Sequence, residues 1–189
     1  MQNKQRETKT ASKTTSNRIR AFAGAALSGA MLMTVAGTVD ATAEAADVCM
    51  TNADDPAIVE GNAALNRDHS TAHGGWTYTG DSNFNHCSDL TYAVATQGGQ
   101  GNGAPLTVLM LFHQGQYIGI DSNHPQHAER VTANPDGSIT VVYRDVEAQN
   151  IAGAPNADAH EYTSEVTYFW DGEKVDHHGR IPNLSYPEF

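Results

Sequence analysis

The chain has 189 residues, 39% of them apolar and 17% charged, with 11 lysine and arginine side chains against 22 aspartate and glutamate. Residues 1–46 hold six of the basic groups and three of the acidic ones, so the rest carries 5 against 19, a formal −14. Such a surplus argues against nucleic acid and anionic membrane surfaces as partners, and the length is that of one domain with one core.

The first element is an export segment. Lys4, Arg6, Lys9, Lys13, Arg18 and Arg20 precede a weakly apolar stretch from Ala21 to Gly37, and Ala43-Glu44-Ala45 places small side chains where a signal peptidase reads them. Arg18-Ile19-Arg20 is not a twin-arginine pair, which points to general secretion. The apolar stretch is short for a span that must cross roughly 30 Å of hydrocarbon, so cleavage after Ala45 is expected in place of a permanent anchor. Residues 46–189 then form a single exported domain. Its two cysteines, Cys49 and Cys87, read as one disulfide in a non-reducing compartment, worth about 4 kcal/mol on the chain-entropy model.

Next comes a short helix. Asp54-Asp55-Pro56 is an N-cap pair with proline at the first helical position, and Ala57, Ile58, Ala63 and Leu65 supply an apolar stripe over two to three turns. Residues 66–86 are polar and glycine-rich, an ordered loop or a short edge strand with Trp76, Tyr78 and Phe84 as bulky anchors. From Leu90 the period becomes two: Leu90, Tyr92 and Val94 share a face. Leu106, Val108, Met110 and Phe112 share another, with Leu109 and Leu111 on its reverse, so this strand is apolar on both sides and should be central.

Turn chemistry punctuates the remainder. Residues 97–103 form a glycine-rich connection, His113-Gln114-Gly115-Gln116 a tight hairpin, Asn134-Pro135-Asp136-Gly137 a turn, and Asp171-Gly172 a two-residue turn. Between them lie strands at Tyr117 to Asp121, Arg130 to Ala133, Ser138 to Asp145, Glu161 to Trp170 and Lys174 to Asp176. Ala148 to His160 reads as a polar loop. The expected fold is α+β: one N-terminal helix packed on a curved antiparallel sheet of about six strands, mostly a meander.

Three segments carry a family likeness: Cys87 to Val94, Val108 to Gly119, and Phe169 to Val175. Together with Val141-Val142-Tyr143-Arg144 they resemble the LppP/LprE family of actinobacterial exported lipoproteins over about Cys49 to Pro182. The most specific piece is Phe-His-x-Gly-x-Tyr-x-Gly, carried by Phe112, His113, Gly115, Tyr117 and Gly119; Trp170-Asp171-Gly172 adds a commoner hairpin. The resemblance implies an exported, envelope-associated domain with the Cys49 and Cys87 pair, and brings no chemistry with it. This chain departs from it at the cleavage site, where Cys49 follows Ala46-Asp47-Val48 and no lipid-accepting cysteine stands.

All nine histidines follow residue 46. His124, His127, His177 and His178 are the candidates for a zinc or copper site, which would need three or four such groups to converge; surface histidines are the expectation, and no metal or other cofactor is assigned. His113, beside a hairpin, is expected to bond a turn carbonyl. No nucleophile elbow, zinc-protease helix or phosphate loop is present. Asp171 with Glu173 and Glu161 with Glu165 are carboxylate pairs expected on solvated faces, and Asp121-Ser122-Asn123 lacks the continuation of a calcium loop. The expectation is therefore a non-catalytic binding or accessory domain with an envelope protein or membrane complex as partner, Trp76, Tyr78, Tyr117, Tyr168 and Trp170 being its aromatic anchors if exposed. Metal handling through the four histidines and an envelope hydrolase of unfamiliar site are the alternatives.

Overall fold

Asp55 starts the first helix by accepting a hydrogen bond from the Ala57 N–H at 3.0 Å, with Pro56 occupying a position whose N–H would have no partner. The computed structural model describes residues 49–69, 71, 74–97 and 105–189. The expected export segment of residues 1–45, the glycine-rich connection of 98–103 and His73 lie outside the described residues. Helix α1 (Pro56–Asp68) buries Ile58, Gly61 and Leu65 and ends as the His69 N–H bonds the Leu65 carbonyl at 2.9 Å.

Eight antiparallel strands follow, in two four-stranded sheets. The first sheet is β1 (Trp76–Ser82), β2 (Thr91–Gln97), β3 (Thr107–His113) and β4 (Gln116–Ile120), in that order. The second is β5 (Ala128–Ala133), β6 (Ile139–Arg144), β7 (Thr163–Trp170) and β8 (Val175–His178), also in chain order. The α+β meander is therefore present, with its strands divided between two sheets and its count raised to eight. Periodicity reveals which face a residue takes but not which strand it pairs with, so a break between two consecutive meanders leaves no mark in it.

The molecule has three layers. Between the sheets lie Leu90, Tyr92, Val94, Leu109 and Leu111 from one side and Ile139, Val141, Tyr143, Val166 and Tyr168 from the other. Beneath α1, the reverse face of the first sheet contributes Trp76, Ala93, Ala95, Val108, Met110 and Phe112. That double burial is why β3 reads as a continuous apolar run, whereas β6 alternates buried and half-exposed positions, its outer face having no layer above it. Gly61 marks the closest approach: a Cβ there would stand 2.9 Å from Cζ of the buried Phe112, so only glycine lets the helix settle on β3.

Cys49 and Cys87 are joined by a disulfide that ties the residues ahead of α1 to the loop between β1 and β2. The β3–β4 hairpin turns through Gln114 and Gly115, both at positive φ, as a two-residue loop matched to strand twist requires. The segment from Ala148 to His160 corrects the sequence expectation: it is a helix, α2 (Val146–Ala152), followed by a 3₁₀ turn (Asn156–Glu161). Its start is held by Asp145, which accepts from the Ala148 N–H at 2.9 Å, and by Asn183, whose side-chain oxygen accepts from the Val146 N–H at 2.9 Å. A local cap and a partner 37 residues away hold this helix start together.

Candidate functional site

The two sheets meet along seams. At one, Gln126 pairs with Thr107 of β3, the Thr107 N–H bonding the Gln126 carbonyl at 2.9 Å, which stitches the first sheet to the strand entering the second. Along the other, β4 and β8 are each paired on one side only, and a cleft of about 460 Å³ opens between them. Leu111, Ile118, Ile120, Val175 and Ile181 give it aliphatic walls. Glu173, Lys174, Asp176 and His177 of the β7–β8 hairpin form its charged rim.

Its floor is polar. Asp121, directly after β4, is 7% exposed and accepts two hydrogen bonds, from the Leu109 N–H at 2.8 Å and from the Tyr143 hydroxyl. The Tyr143 hydroxyl lies 3.0 Å from that of Tyr168, so three side chains from three strands or their ends share one chain of hydrogen bonds. Burial pushes the Asp121 carboxyl up to about 6, against the opposing pull of its Tyr143 and Leu109 donors. Burial, reinforced by the Asp121 charge, raises the hydroxyls of Tyr143 and Tyr168, so both stay protonated donors. A carboxylate with a titration point near neutrality at the bottom of an apolar cleft is the arrangement in which ligand contacts concentrate.

Of the family-motif residues, Gly119 and Trp170 line this cleft, while Phe112 and Tyr117 lie on the opposite face of the first sheet, under α1. His113 stacks on Trp170, ring centroids 3.9 Å apart and planes 18° from parallel, which clamps the end of β3 to the end of β7. Its Nδ1–H donates to the Asp89 carbonyl at 2.7 Å, a loop carbonyl from the β1–β2 connection and not one in its own hairpin. Phe112 is fully buried, with the Tyr117 ring 5.8 Å away. Gly115 has a positive φ of 81° and faces His86 so closely that a Cβ would meet its Nδ1. Gly119 stands at φ 134° beside the bulge that lets Ile118 turn outward, 43% exposed, on the cleft wall. Asp171 caps the opposite hairpin by accepting from the Glu173 and Lys174 N–H groups, both at 2.8 Å, and Gly172 takes the positive φ that the turn needs.

The histidine candidates are not gathered. His124 donates from Nδ1 to the Tyr186 carbonyl at 2.8 Å, and His127 from Nδ1 to the Pro105 carbonyl at 3.1 Å, with burial holding its ring below the usual imidazole range. His177 and His178 are neighbours on β8, one beside Tyr168 and the other over Phe169. Among the described residues no group of three or more His, Cys, Asp or Glu side chains is placed to hold a metal ion. Of the carboxylate pairs, Asp171 is taken up by its turn, and Glu161 and Glu165 are exposed. Of the aromatic anchors, Trp76 and Tyr168 are core residues, while Tyr78, Tyr117 and Trp170 are half-buried.

Sequence reasoning passed over the floor itself. Tyr143 and Tyr168 fall on the inward positions of alternating strands, and two inward hydroxyls need an acceptor. Asp121, ending the strand that follows the central one, was the acceptor within reach of that argument.

Residues 82–173 match the family model described as LppP/LprE lipoprotein. The matched stretch is narrower than the resemblance suggested; it covers β2 to β7 and contains Cys87, the whole motif set and the cleft floor, while Cys49, α1 and β8 fall outside it. No curated protein and no solved structure matches the chain.

Proposed function

Because the chain belongs to the LppP/LprE lipoprotein family, we propose that it serves as a non-catalytic, exported binding or accessory domain of the cell envelope, trimmed after Ala45, that engages its partner through the cleft between β4 and β8. Family membership and the disulfide both fit an exported or envelope location. The observation that carries the binding role is the cleft: aliphatic walls, a charged rim and one buried carboxylate, with Gly119 and Trp170 of the motif in its lining.

Two measurements test this. Intact-mass analysis of the protein recovered from the envelope and medium should show loss of residues 1–45 and two fewer hydrogens than the reduced form. Amide-detected NMR against a small-fragment library should place the hits at Gly119, Ile120 and Val175. Hits spread over the surface, or turnover of generic ester, phosphate or glycan substrates, would refute the role.

A further inference from the structure

The cleft floor combines an aliphatic enclosure with a charge that the fold itself does not require. Asp121 accepts from the Leu109 N–H and the Tyr143 hydroxyl. An asparagine would serve both neighbours as well, its carbonyl accepting from Leu109 and its amide donating to Tyr143, whose own hydroxyl would turn to Tyr168. Hydrogen bonding therefore accounts for a polar side chain at this place; its donors favour the ionised form but supply no counter-charge. Burial opposes the charge, as the raised carboxyl shows. A buried carboxylate that has its hydrogen bonds but no counter-charge, and that faces a cavity, is completed by a cation.

The surroundings set what kind of cation. The titratable groups around the cleft are Asp121, Glu173, Asp176, Lys174 and His177, with Tyr143 and Tyr168 behind the floor, so carboxylates outnumber the one lysine. Low-dielectric walls focus that negative potential inward. A bare divalent metal would find only one buried carboxylate, and the described residues hold no metal-ligand cluster. The volume, about 460 Å³, is that of a small-molecule site, and its wall is more apolar than polar.

From this we infer that the cleft takes an organic ammonium ion with an apolar body, its cationic head directed to the Asp121 carboxylate and its body laid against Leu111, Ile118, Ile120 and Val175. The inference rests on the binding role proposed above and names its ligand class. Lys174 sits on the rim as the group that opposes such a ligand.

The test compares three probes of equal chain length, octylammonium, octanol and octanoate, titrated at pH 7 into the exported, disulfide-bonded protein and followed through the amides of Gly119, Ile120 and Val175. Octylammonium should bind at least tenfold more tightly than octanol, and octanoate most weakly. Asp121→Asn should erase the preference while keeping the octanol response, which also shows that the variant is folded; Lys174→Gln should strengthen octylammonium binding about twofold or more. Equal affinity for octanol and octylammonium, or a preference that survives Asp121→Asn, would overturn the ammonium inference and leave the cleft as a binding site. Silence at those amides with all three probes would remove the binding role as well.

Discussion

Two buried polar clusters stand five residues apart on the connection between β4 and β5, and they are built in opposite ways. Around Gln126 the side chains are neutral and hydrogen-bonded to one another. Its side-chain amide donates to the Pro182 carbonyl at 2.8 Å, its carbonyl accepts from Asn183 at 3.1 Å, and Asn183 also donates to the Arg144 carbonyl at 3.0 Å and accepts from the Val146 N–H. Amides bury at modest cost when each donor and acceptor is met, and this cluster joins the end of the chain to both sheets. Around Asp121 the hydrogen bonds are also met, but the group is ionisable and the cluster opens on a cleft. One polar core is a fastening; the other holds a charge in reserve.

The comparison breaks most visibly at Asp121. Its folded-state carboxyl titrates at about 6, against 3.8 for an unburied one, so the folded protein binds this proton more tightly than the unfolded chain does. The resulting stabilisation is fully present below about pH 4 and is lost as the pH rises through 6, a swing of about 3 kcal/mol from this group. Urea unfolding at pH 4.5 and pH 7 should show about 2 kcal/mol of that swing in the wild type and not in Asp121→Asn, which at pH 7 should be at least as stable as its parent. Asp136, Asp171 and Glu147, held low by their hydrogen bonds, act with the opposite sign in acid but are common to both proteins, so the difference isolates Asp121. A variant that loses stability at pH 7 would make Asp121 a fastening like Gln126.

Asn183→Ala should come next. It strands the Gln126 carbonyl and the Val146 N–H, and it places alanine at φ 62°, where asparagine is tolerated. We expect a loss of about 2 kcal/mol with no pH dependence, together with faster amide exchange in α2. A pH-dependent loss would show the two clusters to be coupled. The smallest effect belongs to Tyr168→Phe, which removes one partner of the Tyr143 hydroxyl while leaving its bond to Asp121. Denaturant midpoints should shift by less than about 1 kcal/mol, and a larger change would mean that the three side chains behave as one unit.

The contrast also explains what was legible in the sequence. The helix, the double-faced β3, the alternation of β6 and β7 and each hairpin turn follow from rules that act within a few residues: Asp55-Pro56 for the cap, Asp171-Gly172 for the turn, burial period for the strands. Helix α2 did not, because its first N–H groups depend on Asn183, and the two-sheet division did not, because β4 and β5 are consecutive yet unpaired. The motif residues were visible as a pattern, but their work was not: His113 and Trp170 are 57 positions apart, and nothing local announces that their rings stack. The cleft floor drew on Asp121, Tyr143 and Tyr168, each an ordinary residue on its own strand or turn.

The stacking of His113 on Trp170 has a practical sequel. The chain has two tryptophans, and the other, Trp76, lies in the layer under α1. Replacing Trp76 with phenylalanine leaves a single indole, stacked on the His113 imidazole. Any parting of the two sheets at that end would change its surroundings and therefore its emission, giving an intrinsic optical gauge that needs no added dye.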